Sequence, residues 1–158
     1  MKKIFKNGGF MAVEILVAAS IITVSVLTAT AVAQKSIFVS RQAFHTSQAA
    51  FLLEEGAEAV RIVRDNAWSN ISSLTLGVNY YPIFSGGIWT LSAVANTSGI
   101  FTRTITIANV NRDNTTKDIS SAGVDDPQTK LVTVTVFWSE GGTTVTKTLQ
   151  FYIIDIFS

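Results

Sequence analysis

Glu14 is an acid set inside an apolar run: Phe10-Met11-Ala12-Val13 precede it, and no charge follows until Lys35. Near the middle of a hydrocarbon layer a carboxylate costs about 2.5 to 3.5 kcal/mol, so an acid in such a segment implies a partner or a task. Lys2, Lys3 and Lys6 lie ahead of it, then Gly8-Gly9. A glycine can enter a protein cleft in extended form with no side chain in the way, although Gly8-Gly9 also reads as a plain flexible linker. An acid close to a helix N-terminus is independently favoured by the macrodipole and can snorkel toward lipid headgroups. That simpler reading accounts for Glu14 alone and leaves the glycine and the aromatic beside it unexplained.

Reagents for catalysis are otherwise sparse. The chain has no cysteine, which removes disulfides, thiol nucleophiles and thiolate metal sites together. His45 is the sole histidine, so no second imidazole completes a metal site or a familiar nucleophile pair, and His45 reads as a surface or packing residue. No glycine-rich loop follows a strand to open a helix, and Gly86-Gly87 reads as a turn. Asp113, Asp118, Asp125 and Asp126 share one polar stretch and could ligate calcium. Their spacing lacks the EF-hand pattern, so they read as solvated loop acids. Tyr80, Tyr81, Trp89 and Trp138 could form a ligand-binding patch, yet aromatics at strand positions more often pack. No enzyme activity, cofactor or metal is expected.

Hydropathy defines the element that must carry Glu14. Phe10 to Ala33 is 24 residues, of which 18 are apolar; the others are Glu14, Ser20, Thr23, Ser25, Thr28 and Thr30. At 1.5 Å per residue such a helix measures roughly 36 Å, against about 30 Å of hydrocarbon. Lysines before the span and no acid among them place the N-terminus in the cytoplasm and the remainder outside. Without those three lysines, nine basic residues face 11 acids, a net charge of −2, and no basic surface for nucleic acid is evident.

Beyond Gln34 the helical pattern continues with a different period of burial. Ala49, Leu52, Leu53, Gly56, Val60, Val63 and Ala67 recur at three and four residues, while Glu54, Glu55, Glu58, Arg61, Arg64 and Asp65 fall largely elsewhere. Glu58 with Arg61, and Arg61 with Asp65, have the spacing of local ion pairs. Unbroken from Phe10 to Asp65, the helix would measure roughly 84 Å.

Residues 69–158 read as β. Val78 to Leu91, with Tyr80, Tyr81, Ile83, Phe84, Ile88 and Trp89 around Ser85-Gly86-Gly87, marks a hairpin. Phe101 to Val110, Lys130 to Trp138 and Thr143 to Ile156 each alternate apolar with polar residues, mainly threonines. Period-two alternation means a sheet with one buried face, which lies on the helix. Ser139-Glu140-Gly141-Gly142 joins the last two strands tightly, and Asn111 to Asp126 reads as a long surface loop. The fold class expected is α+β: a long N-terminal helix, its first half membrane-spanning, packed by its second half on an antiparallel sheet. The divisions are 1–9 for a basic leader, 10–68 for the helix with 10–33 in the membrane, and 69–158 for the β head.

The basic leader ending in Gly9, the aromatic Phe10, Glu14 at the fifth place after Gly9 and the apolar helix that follows resemble the class III signal of type IV prepilins and pseudopilins. The resemblance implies that a membrane-embedded prepilin peptidase cuts between Gly9 and Phe10 and methylates the new amine of Phe10. An α-amino group is largely cationic at neutral pH, and N-methylation keeps its charge. Glu14 would be the family's assembly glutamate, neutralising the amine of a neighbouring subunit. Such a pair need not be net stabilising, but it penalises wrong registers, because a mismatch leaves a charge unpaired.

The resemblance further implies a pilin-like head on a helical stalk and no catalysis. Its partners would be the prepilin peptidase, other pilin subunits, an assembly ATPase, a platform protein, and membrane lipid before assembly. The subunit would wait as a single-pass protein in the cytoplasmic membrane and end in an extracellular or periplasmic filament. Many major pilins carry a proline where this chain has Ala31, and the first proline here is Pro82. That departure suits a minor pilin or a pseudopilin of a type II secretion or DNA-uptake system. A tethered or secreted β-domain with a binding role stays open, since Ala31-Val32-Ala33 before Gln34 offers the small-x-small pattern of an ordinary signal peptidase site.

Overall fold

The computed structural model of the protein describes the backbone of residues 8–157 and the side chains of residues 11–157. One helix, α1 (Gly8–Asn66), is followed by a single turn, α2 (Ser69–Ser72). Among the described residues seven strands follow: β1 (Tyr81–Ser85), β2 (Ile88–Ser92), β3 (Thr97–Ser98), β4 (Phe101–Arg112), β5 (Ile119–Ser120), β6 (Val124–Glu140) and β7 (Thr143–Ile154). The architecture is α+β, a long N-terminal helix with antiparallel sheet, as the hydropathy pattern predicts. The chain divides between Phe44 and His45 into two units.

The described part of the first unit is helix, exposed along its length and mainly apolar as far as Ala33. Leu16, Ile15, Met11 and Leu27 show 64 to 70% of their surface, and no residue from Met11 to Phe44 is buried. A helix apolar all round needs another medium or another protein against it. Its best window has a mean hydropathy of 2.3, and the helix is long and apolar enough to cross a membrane.

In the second unit the remainder of α1 lies on a sheet ordered β3-β4-β6-β7, with β5 beside β4. Of the predicted stripe, Ala49, Gly56, Val60 and Val63 are buried on the helix and Leu52, Leu53 and Ala67 are half-buried, while Ala57 and Ala59, outside it, are buried as well. They face Ile105 and Ile107 of β4, Val132, Val134 and Val136 of β6, and Ile153 of β7. Alternation in β6 is strict from Lys130 to Trp138: even-numbered positions are buried and odd-numbered ones half-exposed. Burial of those valines removes their surface from water at about 25 cal/mol per Å².

Turns fall where glycine permits them. Ser85 pairs Ile88 across Gly86-Gly87, and Glu140 pairs Thr143 across Gly141-Gly142, with all four glycines at positive φ. The stretch Asn111 to Asp126 is more ordered than a loop. Its ends belong to β4 and β6, and Ile119–Ser120 forms β5 against Asn111 and Arg112. Polar composition hid this, because those short strands pair through backbone and bury little. A register shift after Asn109 leaves residues 127–129 unpaired with β4, and Pro127, which has no N–H to give, sits in that gap.

Candidate functional site

Glu14 is the residue to place. It lies in α1 with its side chain exposed, and among the described residues it has no hydrogen-bond or ion-pair partner. The hydroxyls around it differ. Ser20 donates to Val17 O at 2.7 Å, Thr23 to Ala19 O at 2.7 Å, Ser25 to Ile21 O at 2.7 Å and Thr30 to Leu27 O at 2.9 Å; Thr28 donates to Val24 O. Each hydroxyl satisfies itself within one turn, which makes the segment compatible with hydrocarbon despite its Ser and Thr content. From residues 11 to 33, Glu14 is thus the one polar side chain whose needs the helix does not meet.

Gly9 and Phe10 belong to α1 by backbone, while the Phe10 side chain lies outside the described residues. Lys2, Lys3 and Lys6 also lie outside them. Gly9, Phe10 and Glu14 are therefore joined by one helix, with Glu14 one turn beyond Phe10.

The remaining chemistry-bearing residues hold the head together. His45 sits at the start of the head unit with Nδ1 3.3 Å from Glu140 Oε1 and its ring edge-on to Phe101, centroids 6.1 Å apart. Glu140 Oε2 accepts from Trp138 Nε1 at 3.0 Å, and Trp138 packs on Phe101 at 5.3 Å. This cluster ties the helix to the end of β6, so His45 is a packing residue. Sequence reasoning missed Glu140 as its neighbour, since the two are distant along the chain. Tyr80 is buried, accepts from Thr75 N at 2.9 Å and bridges to Ile105. Trp89 stacks obliquely on Phe84 at 5.2 Å. The aromatics are spent on packing and are not gathered into one patch.

Two of the four loop acids, Asp126 and Asp113, take separate duties. Asp126 Oδ2 accepts from Arg112 Nε and from Thr129 Oγ1, both at 2.6 Å. These bonds, the Thr129 hydroxyl first and the Arg112 guanidinium next, hold its carboxyl below the usual carboxylate range, against a smaller opposing effect of burial. Asp113 Oδ1 accepts the backbone N–H groups of Thr116 and Thr115, which lower its pKa in the same sense. Asp113 thereby caps the turn to Asp118, whose carbonyl accepts from Asp113 N at 2.9 Å. No group of three His, Cys, Asp or Glu residues at metal-binding distance occurs among the described residues.

Charge pairing along α1 departs from spacing in one respect. Arg61 pairs with Glu58, but Asp65 is taken by its neighbour Arg64 at 2.7 Å. Arg61 instead lies over the Phe151 ring, 5.2 Å from its centroid, which keeps its guanidinium on the sheet. Arg103 of β4 reaches back to the helix, donating to Leu52 O at 3.1 Å and to Glu55 Oε1 at 3.3 Å. An open groove of about 490 Å³ runs between Phe51 and Leu52 of α1 and the Ser98–Phe101 turn, and its lining is mainly apolar. Scans against protein-family models, curated proteins and solved structures find no match.

Proposed function

We propose that the chain is a structural subunit, of minor-pilin type, in a type IV pilus-like filament, made with a leader that is cut after Gly9 and assembled through α1. The observation that carries this reading is the register of Gly9, Phe10 and Glu14 at the start of one helix, α1, which is mainly apolar and exposed from residue 11 to residue 33. An exposed apolar helix is satisfied by lipid before assembly and by like helices afterwards, so lateral packing can replace lipid without loss of apolar burial. Glu14 is then the registry charge. Among the described residues it is unpartnered, and the methylated amine of Phe10 on a neighbouring subunit supplies the opposite sign at one register only.

The head contributes attachment and spacing and does no chemistry. Its helix stripe packs on the sheet through Val60, Val63 and the β6 valines. Partners on this reading are a prepilin peptidase, other subunits of the filament, an assembly ATPase and a platform protein. Mass analysis of the mature N-terminus tests it, because each competing route leaves a different first residue.

A pseudopilin of a secretion or DNA-uptake fibre is the second reading. It is favoured by Ala31, which continues α1 where many major pilins have proline.

A further inference from the structure

The two borders of the main sheet are finished differently. The β4 border is covered piecemeal: β3 pairs Phe101 and Thr102, Tyr80 pairs Ile105, Gly77 N donates to Ile107 O at 3.0 Å, and β5 pairs Asn111 and Arg112. At the other border β7 pairs with β6 alone among the described residues, and its 12 residues present an open edge. An uncovered edge of that length is a template for another strand. Its composition fits the part: Thr143 to Ile154 has no glycine, no proline and one charge, Lys147.

Lys147 stands on the side of the sheet where a charge is least expected. The register sets Val145 beside Trp138, Lys147 beside Val136, Leu149 beside Val134 and Phe151 beside Val132. Cross-strand partners share a face, so the row toward the helix reads Val145, Lys147, Leu149, Phe151, Ile153. Val136 is fully buried, yet Lys147 next to it is exposed at the border. Lys147 makes no ion pair among the described residues, so the fold itself draws no electrostatic benefit from it.

We infer that the open edge of β7 is a strand-pairing surface for a second copy of this chain, and that Lys147 holds it shut. Two β7 edges meeting antiparallel about a two-fold axis keep their helix-facing rows on one side, so residues of the row oppose each other. One register sets Lys147 against Lys147, and like charges directly opposite repel. The registers with longer overlap set Lys147 against Leu149 or Phe151 of the second copy, which strips water from both ammonium groups. An inward charge on an edge strand therefore opposes continuous sheet formation in each of these registers.

The test compares the full chain in detergent micelles with Lys147→Val, Lys147→Gln and Lys147→Arg, by sedimentation and by amide exchange along β7. Association through α1 is common to all four proteins and cancels. Lys147→Val, with a strand-favouring side chain, is expected to raise the dimer-to-monomer ratio about tenfold or more and to slow exchange at alternate β7 amides. Lys147→Gln, close to lysine in length, is expected to move in the same direction, and decides the matter should the valine variant misfold. Lys147→Arg is expected to match the parent. Neutral variants that stay at the parent ratio, or an arginine variant that associates as the valine one does, would overturn the inference.

Discussion

Gly56 of α1 and Val134 of β6 are in direct contact: a β-carbon at Gly56 would stand 2.8 Å from Val134 Cγ1 and 3.1 Å from Arg103 Cδ. Helix and sheet approach this closely because the helix offers no side chain there. Gly56→Ala gains about 1 kcal/mol of helix propensity and loses about 1 to 3 kcal/mol to overpacking. Gly56→Val adds a second clash without that gain, and a loss of about 2 kcal/mol or more is expected. Thermal unfolding of the full chain in detergent reads both, and an unchanged midpoint for Gly56→Val would show that the helix seats elsewhere.

Asp126 gives the head an acid-sensitive tie. Its pKa is lower folded than unfolded, so its contribution is present above the unfolded value of about 3.9 and is lost as pH falls through the folded one. The midpoint of head unfolding is expected to drop below about pH 4, and Asp126→Asn to flatten that slope while lowering stability at pH 7. Parallel pH profiles for the two proteins would remove Asp126 as the cause.

How much of this was legible in the sequence depends on which force sets each part. The stripe from Ala49 to Val63 and the alternation of β6 are burial patterns, and the periods of helix and strand expose them directly. Gly86-Gly87 and Gly141-Gly142 mark their hairpins by conformation. By contrast β3 and β5 are two residues each and are held by backbone pairing, which leaves no hydropathy signal. The His45–Glu140 contact joins residues far apart in the chain, and the choice of Arg64 over Arg61 by Asp65 is decided by Phe151 on another strand. For Glu14 the sequence carries the anomaly, and the fold adds that every neighbouring hydroxyl is already satisfied.

Glu14→Val should separate processing from assembly. The substitution relieves the membrane segment of a charge, so insertion and cutting after Gly9 are expected to proceed as in the parent. Incorporation is expected to fall by about tenfold or more, because the amine of a neighbouring Phe10 is left buried without its counter-charge. Quantifying mature subunit in sheared filaments against that in membranes checks this; equal incorporation would leave Glu14 without a registry role.

Gly9→Ala should act one step earlier. A methyl group at the cut site is expected to leave the leader attached and the subunit in the membrane fraction, seen as a slower-migrating band retaining Lys2, Lys3 and Lys6. Normal maturation would mean that Gly9 is linker only.

The filament reading stands or falls on the first residue of the mature chain. Intact-mass and N-terminal peptide measurement on protein recovered from the cell envelope is expected to show a chain beginning at N-methylated Phe10. A chain beginning at Met1 would mean a plain membrane anchor, and one beginning at Gln34 an ordinary secreted domain; either result would contradict the proposal.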